Sequence, residues 1–233
     1  MSQTTSLPFN ERYVPSVAKY KAMVEESLKD ISAFWDKAAK EIPWYEGWGK
    51  ALDWNMPFSK WFIGGKLNVS NVCLDWQIQN GKGNKVAYYW EGEDHAMRTI
   101  TYRDLHREVN RLAYALREMG LKRGDRIAIY LPMIPELPIA MLAAARLGVI
   151  FTVIFSGFSA KALSDRANDA RARIVITADG SLRRGKVVPL KSIVDEAMKS
   201  CPNVEKVIVF KRLDGNVNMD QGKDVWWHEA LPK

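Results

Sequence analysis

The stretch Gly180-Ser-Leu-Arg-Arg-Gly-Lys-Val187 is where this sequence comes nearest to phosphate chemistry. Arg183, Arg184 and Lys186 put three cations within four residues, beside Gly185. Arginine forks match phosphate oxygens in pairs, and lysine adds a point charge. The pattern G-x-x-x-x-G-K-V falls one residue short of the nucleotide phosphate loop G-x-x-x-x-G-K-[ST]. Val187 has no hydroxyl to hold magnesium, and Pro189 has no amide hydrogen to offer. A true phosphate loop is therefore not expected. On its own the stretch is either a phosphate seat or a solvated basic turn. Gly157 poses a similar choice: it permits close approach of a ligand to the backbone, or it serves a tight strand-to-helix turn.

Other chemistry is sparse. His95, His106 and His228 have no nearby Ser or Cys with a supporting carboxylate, so no catalytic residue is assigned. Asp179 closes a strand, where it is expected to organise a turn. Cys73 and Cys201 lie far apart with no C-x-x-C pair, which argues against zinc, a disulfide framework and an oxidising compartment. No metal ligand is assigned. The formal charge of +7 favours anionic partners. The chain has no basic run of five or six residues, so no nucleic-acid arm is expected. Residues 1–10 are polar, unlike a signal peptide, and the longest apolar stretch, 137–155, is interrupted by Arg146 and Gly148. No membrane association is expected, and the cytoplasm is the expected compartment.

The elements that would position these residues alternate. Val17–Lys40 has helical spacing up to Pro43. The aromatic segment from Trp44 to Phe62 reads as an irregular clamp. Residues 80–84 form a turn, followed by strands at 86–90 and 98–101. Thr101 and Asp104 form an approximate capping box for a helix that stops at Gly120. Strands are expected at 126–131, 150–155, 173–177 and 204–210. The helices between them fall at 136–147, 159–170 and 190–199, with Ser159 as an N-cap. Asp224–His228 reads as a short edge element. This order predicts an α/β fold with a Rossmann-like parallel βαβ sheet, preceded by a helical, aromatic-rich N-terminal arm. Ligands in such sheets sit at the carboxyl ends of the strands, where the 156–158 and 178–186 loops fall.

Taken together, these segments resemble the N-terminal region of AMP-forming acetyl-CoA synthetases, in the adenylate-forming (acyl-CoA synthetase) superfamily. The resemblance runs from about Phe34 to His228. It rests on Trp61-Phe-Ile-Gly-Gly-Lys-Leu-Asn68, Thr99-Ile-Thr-Tyr102, Gly124-Asp-Arg126 and Tyr130-Leu-Pro-Met-Ile-Pro-Glu136. It rests also on Gly157-Phe-Ser159, Val175-Ile-Thr-Ala-Asp179, Arg184-Gly-Lys-Val-Val-Pro-Leu-Lys191 and Asp224-Val-Trp-Trp-His228. Ser156 departs from the pattern, standing where this branch usually has a second glycine. Asn71, Val72 and Trp76 also replace more usual residues.

The resemblance implies a two-step thioester synthesis. Acetate attacks the α-phosphate of ATP to give acetyl-AMP and diphosphate, and the thiol of CoA then displaces AMP. It implies that Gly157, Arg183, Arg184, Gly185 and Lys186 lie at the nucleotide end of CoA. Lys186 stands where some members have Arg, so the charge is kept and the fork is lost. It divides the chain into an N-terminal arm, 1–80, and the first part of the AMP-binding domain, 81–233. The family's ATP phosphate loop, its Mg2+ site and its adenylation lysine are expected outside this chain. The expectation is an N-terminal fragment, inactive alone, with the missing C-terminal half as a possible partner. Three alternatives accompany it: a non-catalytic subunit of a split enzyme, a P-loop-like nucleotide-binding protein, and propionate or 3-hydroxypropionate in place of acetate.

Overall fold

The computed structural model describes residues 16–232. The described residues form two compact units, divided between residues 67 and 68. In the first, helices α1 (Val17–Lys29) and α2 (Ile31–Ala39) replace the single helix predicted over 17–40. The break is Asp30, whose extended backbone (φ −148°, ψ 91°) ends α1 while its carboxylate accepts from Ala33 N at 2.9 Å to cap α2. A short acceptor side chain within a helical period competes for the backbone in this way. The aromatic segment is more regular than expected. Strands β1 (Lys50–Asn55) and β2 (Phe58–Ile63) form an antiparallel hairpin across the two residues Met56 and Pro57. Trp44, Trp48 and Phe62 pack with ring centroids 4.9–5.3 Å apart. Their indoles bond back to α2, Trp44 to the Ala39 carbonyl and Trp48 to Asp36. The aromatics thus clamp hairpin to helix.

The second unit begins with short helical turns at Asn71–Asp75 and Ile78–Lys82. Gly81 turns the chain with φ +75°. Strands β3 (Val86–Glu91) and β4 (Met97–Thr101) pair as a second hairpin. Helix α3 (Tyr102–Glu118) follows with both halves of the Thr101/Asp104 capping box formed. Its Leu105, Val109, Leu112 and Leu116 are buried, as their spacing requires.

Alternation then sets in. It runs β5 (Arg126–Tyr130), α4 (Glu136–Leu147), β6 (Ile150–Val153), α5 (Ala160–Asp169) and β7 (Ile174–Ala178). A small hairpin comes next, β8 (Ser181–Arg183) and β9 (Lys186–Val188), then α6 (Leu190–Met198) and β10 (Lys206–Phe210). Strand β11 (Asp224–Trp226) and the turn of helix α7 (Trp227–Ala230) complete the order. Five strands make one parallel sheet in the order β11-β10-β7-β5-β6. Ser159 caps α5 as expected, accepting from Ala162 N at 3.3 Å. Because β6 and β7 flank β5 on opposite sides, right-handed crossovers place α4 and α5 on opposite faces. Both faces of the sheet are therefore covered, and every residue of β7 is buried.

The two ends of this sheet are held differently. At the amino ends, Arg173 forks onto Glu205 at 2.8 Å and reaches Asp125 at 2.7 Å. Arg126 donates to the carbonyls of Ala170 and Arg171. Near the edge strand, Lys191 is almost fully buried between Asp195 and Asp224 and also donates to the Asn218 carbonyl. Its partners compensate a charge that would otherwise be costly to bury.

Candidate functional site at the carboxyl ends of the strands

Sequence β5-α4-β6 leaves the centre of the sheet in one direction, and β7-α6-β10 leaves it in the other. The carboxyl ends of β5 and β7 therefore sit at a topological switch point, where α/β sheets bind ligands. A cleft of about 260 Å³ opens there. Its wall draws on the segments after β5 (Pro132 to Ile134), β6 (Phe155, Ser156) and β7 (Ser181 to Arg183), with Trp90 to Glu93 from the β3–β4 hairpin and Arg212. A larger cavity of about 450 Å³ lies between the 69–77 turns, α3 and α4. Its lining is mostly apolar, with no Lys, Arg, Asp or Glu, so the smaller cleft is the one suited to ionic chemistry.

The sheet fixes the floor of this cleft. The hydroxyl of Tyr130, at the end of β5, lies 3.0 Å from the Ser156 carbonyl and 2.7 Å from that of Phe158. It pins the turn containing Gly157. Thr177 donates to the Tyr130 carbonyl at 3.0 Å, tying β7 to the same point. Asp179 is buried, and its carboxylate accepts from the amides of Gly180 at 2.7 Å, Arg212 at 2.8 Å and Leu213 at 3.0 Å. It acts as a staple between the segments after β7 and β10. That is the turn role read from sequence, in a more extensive form.

The structure brings Gly157 and Arg183 together. The Arg183 guanidinium lies 4.9 Å above the Phe155 ring. A Cβ at residue 157 would come within 2.3 Å of Arg183 Nη1 and 2.6 Å of Phe155 Cε1. The glycine is thus the space in which the arginine lies. Arg183 and Lys186 pair across the hairpin, and Arg184 and Gly185 form its two-residue turn. Both turn residues have positive φ, +52° and +71°, the geometry of the primed turns that suit hairpin twist. Glycine adopts it freely, whereas Arg184 does so under strain. Arg183, Arg184 and Lys186 are exposed, and none forms an ion pair among the described residues.

This arrangement offers a concentrated positive field beside an aromatic floor and open glycine backbone, suited to an anion with a flat apolar portion. The basic stretch is a hairpin rather than a loop wrapping a helix N-terminus, consistent with the missing Ser or Thr of a phosphate loop. The sequence alone points to no site role for Phe155, Tyr130, Trp90, Glu93 or Arg212. Phe155 and Phe158 flank Gly157 and could have been noticed as candidate stacking residues. The β3–β4 contribution depends on contacts no local pattern shows, such as Trp90 Nε1 to the Met133 carbonyl at 2.7 Å and Asp94 to Arg212 at 2.9 Å. Among the described residues no group of three His, Cys, Asp or Glu side chains could hold a metal ion. Also among them, no helix is long and apolar enough to cross a membrane.

Comparison with known proteins extends this picture. The family described as AMP-binding enzyme matches residues 74–232, and the acetyl-coenzyme A synthetase N-terminus matches residues 20–73. An acetyl-coenzyme A synthetase of Pyrobaculum arsenaticum is 46% identical, over 99% of this chain and 37% of the relative. One from Rubrobacter xylanophilus is 47% identical, over 89% of this chain and 32% of the relative. The solved acetoacetyl-CoA synthetase from Streptomyces lividans superimposes with a TM-score of 0.83 at 26% identity, covering 96% of this chain and 34% of that one. The chain thus spans about a third of the length of the relatives it matches. It belongs to the AMP-binding enzyme family, in which it corresponds to an N-terminal portion of the acetyl-coenzyme A synthetases.

Proposed function

We propose that this chain is the N-terminal portion of an acetate–CoA ligase, which converts acetate, ATP and CoA to acetyl-CoA, AMP and diphosphate through acetyl-AMP. Within it, the chain supplies part of the seat for the nucleotide end of CoA. The observation that carries this reading is the placement of Gly157 and Arg183 in mutual contact at the carboxyl edge of the sheet. Lys186 pairs across the hairpin from Arg183 in the same exposed basic strip.

Each residue has a physical task. Arg183 supplies a planar fork, already oriented by the Phe155 ring. Lys186 adds a point charge. Arg184 and Gly185 turn the hairpin so that its strands present these two side chains. Gly157 leaves the backbone open beside them. Charge neutralisation and orientation are the whole contribution, because no nucleophile, acid or base is assigned here. ATP and magnesium belong to segments of the longer protein outside this chain. The partners are acetate, ATP, CoA and the C-terminal part of such a protein. The compartment is the cytoplasm. The arm, 1–80, and the start of the AMP-binding domain, 81–233, are the functional divisions.

Two measurements test this. Calorimetric titration of the 233-residue chain with CoA should show binding that Arg183→Ala weakens about tenfold. The same chain should not catalyse acetate-dependent exchange of diphosphate into ATP. Robust exchange would overturn the assignment of adenylation to the missing part.

A further inference from the structure

The basic hairpin faces an acidic turn, Glu91-Gly-Glu-Asp94, delivered by the β3–β4 hairpin. Its carboxylates are not equivalent. Asp94 pairs with Arg212 at 2.9 Å, and that guanidinium lies 5.3 Å above the Trp90 ring. Glu91 lies 3.5 Å from the His95 imidazole. Glu93 has no cation partner among the described residues. Its Oε2 instead accepts from the Gly185 amide at 3.3 Å, at the tip of the basic hairpin. Both Glu93 and Arg183 line the cleft.

We propose that Glu93 is a built-in competitor for the anion seat, holding the Gly185 amide until a phosphate displaces it. The inference rests on the reading of Arg183 and Lys186 as the seat for a CoA phosphate. A carboxylate on a turn amide occupies a position that a phosphate oxygen would take, using the same donor. Asp94, held by Arg212, anchors the turn and leaves Glu93 as the group free to swing away. Gly92 makes this geometry possible. A Cβ there would fall within 2.3 Å of an Asp94 oxygen, 2.9 Å of the Trp90 ring and 3.0 Å of Arg212. Glu93 thus occupies the Gly185 amide beside the unpaired cations, and a phosphorylated ligand must both displace a carboxylate and overcome its repulsion.

The test is calorimetric titration of the full chain and its variants with CoA and with dephospho-CoA, which lacks the 3′-phosphate of the nucleotide end. Glu93→Gln keeps size and hydrogen bonding while removing charge. It should tighten CoA about fivefold, the effect of removing one nearby like charge in a solvated setting. It should leave dephospho-CoA unchanged. Arg183→Ala should weaken CoA. If Arg183→Ala weakens CoA while Glu93→Gln leaves it unchanged or weaker, the competitor role is overturned and the seat stands. Equal tightening of both ligands also overturns it, because the charge then acts without reference to the phosphate. If CoA does not bind, or Arg183→Ala has no effect, the seat itself is overturned and the competitor role with it.

Discussion

The amino and carboxyl edges of the parallel sheet differ in how they treat charge. At the amino edge Arg173 meets Glu205 and Asp125, and Arg126 meets two carbonyls. At the carboxyl edge Arg183, Arg184 and Lys186 stand without ion pairs among the described residues. The first edge spends its cations on joining strands. The second leaves these three unpaired, although Arg212 beside them is held by Asp94. Since both edges belong to the same strands, the contrast separates residues that stabilise from residues proposed to bind.

Asp179 offers the sharpest way to break this comparison, because it lies on the carboxyl edge yet is fully partnered. Asp179→Ala would orphan the amides of Gly180, Arg212 and Leu213. It should destabilise the chain by about 2–3 kcal/mol in urea titrations. If its stability is unchanged, partnering does not distinguish the edges. At the amino edge, Arg173→Ala should lower stability by about 1–2 kcal/mol and leave CoA affinity unaltered. Arg183→Ala should do the reverse, with the CoA affinity falling about tenfold and the unfolding free energy from urea titration staying within about 0.5 kcal/mol of the parent.

Acid sharpens the comparison further. A backbone hydrogen bond from Lys122, then Arg173, holds Asp125 below its ordinary 3.8. Arg173 holds Glu205 below its ordinary 4.5. Depressed folded-state values mean that this stabilisation is complete above the unfolded values. It is lost as the pH falls through the folded ones. Stability measured on descending from about pH 6 to pH 3 should therefore drop, and Arg173→Ala should flatten the drop. The smallest effect concerns the turn. Arg184→Gly removes a side chain from a left-handed position and should stabilise the hairpin by about 0.5–1 kcal/mol, read from thermal melts.

Much of this was legible in the sequence because it is local. The Thr101/Asp104 box, the Ser159 cap and the alternation of β-branched runs with Ala- and Leu-rich ones each lie within a few residues. The break at Asp30 was local too, but its capping competes with a helical period that continues on both sides. The β1–β2 hairpin escaped notice because Met56-Pro57 is not a favoured two-residue turn. The β8–β9 hairpin escaped because its strands have three residues each, too few for a period. The basic cluster was visible, and so was Gly157, but their contact spans 26 positions, and that of Glu93 with Gly185 spans 92. Such pairings are set by strand order, which no window of sequence displays.

The buried Lys191 has a consequence for the timing of local opening. It grips Asp195 on α6, Asn218 in the 213–223 connection and Asp224 at the start of β11. Loss of any one of the three leaves the buried ammonium less fully compensated. The connection, the edge strand and the first turns of α6 should therefore exchange their amide hydrogens as one cooperative block, rather than fraying inward from the strand.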